Sequence, residues 1–490
     1  MRFVWLFVAL ALGGCNAANQ SSLVTPTIAE VQQAATSPWV SRTLETDVVR
    51  RFGGAYSHPP AEAMLQETLQ DLTRASGIEG LPQRVILLDS AIYNAAALPN
   101  GQLFVTRGML ALANDRSEIA AALAHELGHV IARHSAQRVV ARAQAQADAQ
   151  NVARTFGDPE ITRATVSAYQ QSLAAFSREK EIEADRIAVD LLRKAGYDTV
   201  GALRMMQSLD RMNAFYANLA RVQRAPSSPL ASHPTTTERV EATRKLVAAA
   251  SGGRTDRERY LASISGIAFG ETGRGGFVRG RSFLHRGLDI AITMPQGYVV
   301  RGYADAVGAV KQGGKSVMIF RRMADGVAGD PEAALRLLLS RANVPVTITP
   351  LGGSQRGAMA AIDTRTGKSR LAVVVVGARV YRLFMTSSAP DGAFDRDFSE
   401  TIATLRNLGP QDERVARQQA VRIVRAEGPG ALARLAAQSG DPDHGLQLLL
   451  ALNGLRSAAD LRPGAQIKAL ELGDAPIANA TAQPVTAQGS

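Results

Sequence analysis

Five residues limit most tightly how this 490-residue chain can fold: His125-Glu126-Leu127-Gly128-His129, an H-E-x-x-H run. Two histidines four positions apart share a face when the run is helical, one turn separating them. On that face both imidazoles can bind one metal ion, and Glu126, beside the open coordination position, can take a proton from water that the metal polarises. The flanking residues agree with a buried helix. Ile119, Ala122, Leu123, Leu127, Val130 and Ile131 give a wide apolar surface. The spacing predicts one helix over Asn114 to Val140, with Asp115 and Glu118 placed as in a capping box.

Two nitrogens do not complete a catalytic metal site; a third protein ligand is needed, with one position left for water. The helical stretch Phe176 to Asp185 supplies carboxylates. Glu181 and Asp185 are again i and i+4, so one can reach the metal while the other holds a ligand histidine by its second ring nitrogen. By spacing alone Glu179, Glu181 and Glu183 compete, with Glu183 on the face opposite the positions that partner Asp185.

A chain of this length calls for two to four domains. Its net charge of +11 reflects a bias toward arginine; no basic stripe with interleaved aromatics accompanies it, which excludes nucleic acid as the expected partner. Ala61 to Ala75 has helical spacing. Arg84 to Leu88, Ile92 to Leu98 and Gln102 to Thr106 read as short strands, the last two joined by the turn Pro99-Asn100-Gly101. Another helix should end at Gly196. Residues 260 to 408 alternate strand-like runs such as Leu371 to Val376 with a helix near Phe394 to Leu405.

The run His125 to His129 followed by Glu181-Ile182-Glu183-Ala184-Asp185 resembles the gluzincin family that contains the membrane protease HtpX, the CAAX prenyl proteases and the periplasmic chaperone-protease BepA. The segments Asn94 to Gly108 and Ala195-Gly196-Tyr197-Asp198 are similar to that family as well, and the resemblance covers about residues 55 to 250. It implies one Zn2+ per chain held by His125, His129 and Glu181, with Glu126 and Asp185 as catalytic residues. It also implies an endopeptidase of unfolded or misfolded envelope proteins in the bacterial periplasm, the BepA-like branch fitting a chain without multiple membrane spans. Ser232-His233-Pro234, with Arg239 following, resembles a family segment whose histidine can reach the metal. His233 is thus expected either as a fourth ligand that shuts the site or as an oxyanion stabiliser. The alternative reading of the whole chain is an assembly chaperone or scaffold whose metal site His233 normally closes. The strand Asn94, Ala95, Ala96 and Ala97 is expected to pair with an extended substrate backbone. His134, five residues past His129, is expected to be structural.

The N-terminus reads as an address. Arg2 precedes the apolar run Phe3 to Leu12, too short to span a bilayer, and Leu12-Gly13-Gly14-Cys15 is similar to a bacterial lipobox. Cys15 is the single cysteine and the expected lipidation site; Asn16 after it leans toward the outer membrane. Near the other end, Leu452-Asn453-Gly454-Leu455 and Leu461 to Lys468 resemble the second half of a LysM peptidoglycan-binding module. Its first strand would be Val421 to Val424 and its first helix Ala431 to Ala437, although Gly428-Pro429-Gly430-Ala431 replaces the usual Gly-Asp-Thr turn. The expected organisation is a signal peptide (1–14), a tether (15–54), a zinc metallopeptidase domain (55–250), an α/β sandwich-like binding domain (258–408), a LysM-like domain (418–471) and a disordered tail (472–490). The expected class is α+β, the peptidase domain being mainly helical with a small sheet. Partners would be envelope proteins, a membrane reached through the lipid, and peptidoglycan.

Overall fold

The computed structural model describes residues 38–472 apart from 99, 157–158, 221–235, 250–251, 271–275, 304–305, 314, 324–329, 341–345, 353–354, 365–366 and 440–443. The chain is α+β and divides into two compact units; of the described residues the first takes those up to Ala214, those from 236 to Ile264 and Leu452–Gly454, and the second takes the rest.

The first unit opens with helix α1 (Pro38–Arg51) and α2 (Pro59–Ser76), continues through strands β1 (Val85–Leu88), β2 (Ala95–Ala97) and β3 (Leu103–Thr106), and then runs through α3 (Arg107–Leu112), α4 (Arg116–Ile131), α5 (His134–Phe156), α6 (Pro159–Lys194), α7 (Val200–Ala220, in this unit as far as Ala214), α8 (Thr237–Ala248) and α9 (Arg257–Ile264). The expected tether thus contains a helix, and the buried Phe52 just after it joins Ile86, Leu88 and Phe104 in one apolar cluster. Two prolines start α2, and Gly77, at φ 66, stops it by turning left-handed. Between them Met64, Leu65, Leu69 and Leu72 are buried on one face. In the small sheet β3 is central, parallel to β1 and antiparallel to β2, so β2 is an edge.

Helix α4 starts where Asp115 accepts the Glu118 amide at 3.0 Å. The Glu118 carboxylate reaches the Asn114 amide, one residue before the cap. Gly128 is required by packing: a Cβ there would lie 2.9 Å from the Ala184 carbonyl oxygen and 3.1 Å from its Cα, so α4 and α6 meet backbone to backbone. The single helix expected over Asn114 to Val140 is two. α4 ends at Ile131, Arg133 takes φ 55, and α5 begins at His134. Nothing in the local propensities of Ala132 and Arg133 announces this break; the left-handed turn redirects the chain so that His134 is buried beside α4. At the far end of the unit the buried Tyr260 of α9 donates its hydroxyl to the Leu110 carbonyl at 2.6 Å, which carries the packing of this unit past residue 250.

The second unit contains β4 (Ala268–Phe269), β5 (Phe277–Arg279), β6 (Ser282–His285), β7 (Ile290–Thr293), β8 (Tyr298–Tyr303), β9 (Ala306–Lys311), β10 (Ser316–Arg322), α10 (Pro331–Leu339), β11 (Thr347–Pro350), β12 (Arg356–Thr364), β13 (Gly367–Val376), β14 (Arg379–Ser387), α11 (Phe394–Ala403) and α12 (Pro410–Val415). Seven of these strands form one sheet in the order β11-β12-β13-β14-β10-β9-β8, and every described pairing in it is antiparallel. Hairpins join every pair of neighbours except β14 and β10, which are separated in the chain by α10 and strands β11 to β13. Phe320, Tyr381, Leu383, Phe394 and Phe398 lie in the larger core of this unit, and Leu335 of α10 in a smaller one with Ala360 and Val373. The chain then makes β15 (Gln419–Arg425), α13 (Gly430–Gln438), α14 (Gly445–Leu452) and β16 (Gln466–Leu472), with β15 antiparallel to both β16 and β4. Among the described residues no helix is long and apolar enough to cross a membrane.

Candidate metal centre

Because α4 is a regular helix through the H-E-x-x-H run, it places the His125 and His129 side chains one turn apart, with their Nε2 atoms 3.1 Å from each other. Helix α6 packs alongside and brings Glu181 to them: its Oε2 lies 3.4 Å from His125 Nε2 and its Oε1 3.6 Å from His129 Nε2. One ligand atom from each of the three residues falls within 4.8 Å of the others. Of the competing glutamates, Glu179 is exposed and Glu183 faces His134, which leaves Glu181 as the one in the cluster.

One turn beyond Glu181, Asp185 Oδ1 lies 2.8 Å from His125 Nδ1. The proton on Nδ1 is thereby engaged, and Nε2 is free to be a ligand. Burial by itself lowers the His125 pKa, but the hydrogen bonds to Asp185 and Glu181 outweigh it and push His125 up to about 10. The same surroundings that hold a proton there suit a cation: two nitrogens and a carboxylate oxygen in a nearly dry pocket with excess negative charge. This donor set fits zinc.

Arg239, in the first turn of α8, belongs to the same cluster. Its Nε and Nη2 each donate to a different oxygen of Asp185 at 2.8 Å, and its Nη1 lies 3.1 Å from Glu181 Oε2. Burial acts to raise the Asp185 pKa, yet the hydrogen bonds from Arg239 and His125 bring it below the ordinary carboxylate value. Burial likewise opposes the charge on Arg239, and Asp185, Glu181 and, less strongly, Glu126 outweigh it. The sequence marks Arg239 only as following His233. Its role in the cluster emerges when α8 is packed against α6.

His134 stands closer to the site than its spacing suggests. Its Nδ1 is 2.9 Å from His129 Nδ1, and its Nε2 is 3.2 Å from Glu183 Oε2, which also accepts from Lys180 Nζ at 2.8 Å. Burial lowers the His134 pKa more than Glu183 raises it. Glu126 is buried on α4 between the two histidines of the motif.

In the small sheet the Thr106 amide donates to the Asn94 carbonyl at 3.0 Å and the Leu98 amide to the Gln102 carbonyl at 2.9 Å. Antiparallel alternation then turns the backbone groups of Ala96 toward β3 as well, and those of Ala95 and Ala97 toward the open edge. Of the four residues expected to meet a substrate, Ala95 and Ala97 have the backbone placed to do so. Cys15 and His233 lie outside the described residues.

The family model described as Peptidase family M48 matches residues 59–247. The mitochondrial metalloendopeptidase OMA1 of Arabidopsis thaliana is 36% identical over 137 residues, 28% of this chain and 28% of that protein. The metalloprotease YcaL of Escherichia coli is 31% identical over 185 residues, 37% of this chain and 69% of that protein. The chain belongs to peptidase family M48. Members are metal-dependent, typically on zinc, and the part matched here is a metallopeptidase domain. The beta-barrel assembly-enhancing protease of Yersinia pestis is 28% identical over 163 residues, 31% of this chain and 32% of that protein. The chain thus spans about a third or less of two of these relatives and about two thirds of the third. In the M48 domain Ala97 at the end of β2, Leu98, His129, Val130 and Ala136 line one small pocket.

Proposed function

We propose that the chain is a zinc-dependent endopeptidase that cleaves unfolded or misassembled proteins of the bacterial envelope, including those bound for the outer membrane. The buried cluster of His125, His129 and Glu181, with Glu126 on the same turn of α4, carries this reading. His125, His129 and Glu181 would hold one zinc ion, which would supply Lewis-acid polarisation of a water and of the scissile carbonyl. Glu126 takes the proton of the attacking water and passes it to the leaving amine. Asp185 and Arg239 hold His125 and Glu181 in place. Ala95 and Ala97 pair with the substrate backbone, which selects extended chains over folded ones. The envelope assignment is supported by relatives named as beta-barrel assembly-enhancing proteases. The β-α-α-β order of residues 419–472 is compatible with a LysM-like module that contacts peptidoglycan.

The chain from Asn16 onward should carry one zinc and degrade an unfolded outer-membrane protein while sparing its folded form. A chelator should stop the digestion and added zinc restore it. Digestion at full rate in the chelator, or a purified chain that takes up no zinc, sinks the proposal. The anchor is tested separately. Cys15→Ser should move the protein from the membrane pellet to the periplasmic fraction of a bacterial host, and a variant that still pellets with outer membrane shows that the anchor lies elsewhere.

A further inference from the structure

We propose that His134 and Glu183 are positioning residues of the metal site: together they hold the His129 ring in the tautomer that leaves its Nε2 free as a ligand. The inference rests on the metallopeptidase reading above and extends it to residues outside the ligand set.

His129 Nε2 points into the cluster, toward His125 Nε2 and Glu181. A neutral imidazole that offers Nε2 as a lone pair carries its proton on Nδ1. That nitrogen faces His134 Nδ1 at 2.9 Å, and two ring nitrogens share a hydrogen bond only when one donates and the other accepts. With His129 donating, His134 accepts at Nδ1 and has its own proton at Nε2, 3.2 Å from the Glu183 carboxylate. Every donor then meets an acceptor. The reverse direction sets a proton on His129 Nε2, inside the ligand cluster, and turns a bare His134 lone pair toward the Glu183 carboxylate. Glu183 therefore decides the direction of the chain, and the Lys180 ammonium at 2.8 Å fixes Glu183 in turn.

The two motif histidines are thus oriented by different devices, His125 by a carboxylate directly and His129 by a carboxylate acting through a second imidazole. The helix break makes this possible. In a continuous helix a residue five positions on is rotated by roughly 140° from the first, whereas Arg133 at φ 55 turns the chain so that the His134 ring meets His129 edge-on, with centroids 4.9 Å apart.

The test uses the full chain with nitrogen-labelled histidine, of which there are seven. Long-range proton–nitrogen spectra should show His129 as the Nδ1–H tautomer and His134 as the Nε2–H tautomer, both before and after zinc is added. His134→Phe keeps a ring but no acceptor; its zinc affinity, read by competition with a chromophoric chelator, should fall about 10- to 100-fold. His134→Gln, whose carbonyl can accept, should recover most of the loss, and Glu183→Gln should show a smaller fall. If His134→Phe does not fold, Glu183→Gln and His134→Gln carry the test. The proposal is overturned if His129 is the Nε2–H tautomer in the wild-type chain, or if affinity and tautomer are unchanged in the folded variants. A wild-type chain that takes up no zinc overturns the metallopeptidase reading, while the tautomers of the metal-free protein still decide the relay.

Discussion

Glu126→Gln should leave the zinc in place and reduce turnover of an unfolded substrate by about 10²- to 10⁴-fold, the range for losing a positioned general acid–base. The substitution keeps the size and shape of a side chain that is buried on α4, so packing against its neighbours survives. Glu126 is outside the cluster formed by His125, His129 and Glu181, so the ligand set is untouched. What the amide cannot do is accept the proton of the attacking water. Initial rates beside metal content for the two proteins check this. Comparable turnover by the variant removes Glu126 as the base and the proposed mechanism with it, whereas loss of zinc together with activity assigns Glu126 to the ligand set.

The second large effect is expected at Arg239. Its guanidinium is nearly buried and bridges two buried carboxylates, with both oxygens of Asp185 in a fork and Glu181 on the third nitrogen. Arg239→Ala leaves those carboxylates without their cation, a change that costs about 3–5 kcal/mol when a buried pair is broken. For a domain of this size that corresponds to a fall of roughly 6–20 °C in Tm. The loss should be larger in the metal-free protein than in the zinc-loaded one, because a bound cation also offsets the charge of Glu181. Arg239→Lys should recover only part of it, since a single ammonium cannot span the fork. Calorimetry with and without zinc is the measurement. An unchanged Tm in both states would mean that Arg239 is a bystander; an equal fall in both would separate its role from the metal site.

The chemistry of α4 was legible in the sequence because a helix converts spacing into direction: residues four apart face the same way, so His125 and His129 converge wherever the helix is placed. The same rule relates Glu181 to Asp185 on α6. The short strands and the turn after Leu98 were legible too, since their signals are local. Spacing could not choose among Glu179, Glu181 and Glu183, because one helix does not reveal which of its faces meets a neighbour. The contact that chooses is the approach of α4 and α6 at Gly128 and Ala184, between residues far apart in the chain.

What the sequence by itself determined is therefore a set of donors on two helices, each with its direction set by helical geometry. The tertiary structure alone decided which of those donors converge and what surrounds them. Arg239 reaches Asp185 across fifty-four positions of sequence, and Glu183 reaches His134 across forty-nine. The break at Arg133, which lets His134 stand behind His129, sits in a stretch whose residues are individually content with helix. The Arg239–Asp185 contact is a pairing of buried polar groups that becomes favourable only after packing has removed water from both partners, and in the other pair the buried His134 meets a Glu183 that stays partly exposed. No local pattern can encode an energy that arises from two distant segments losing their solvent together.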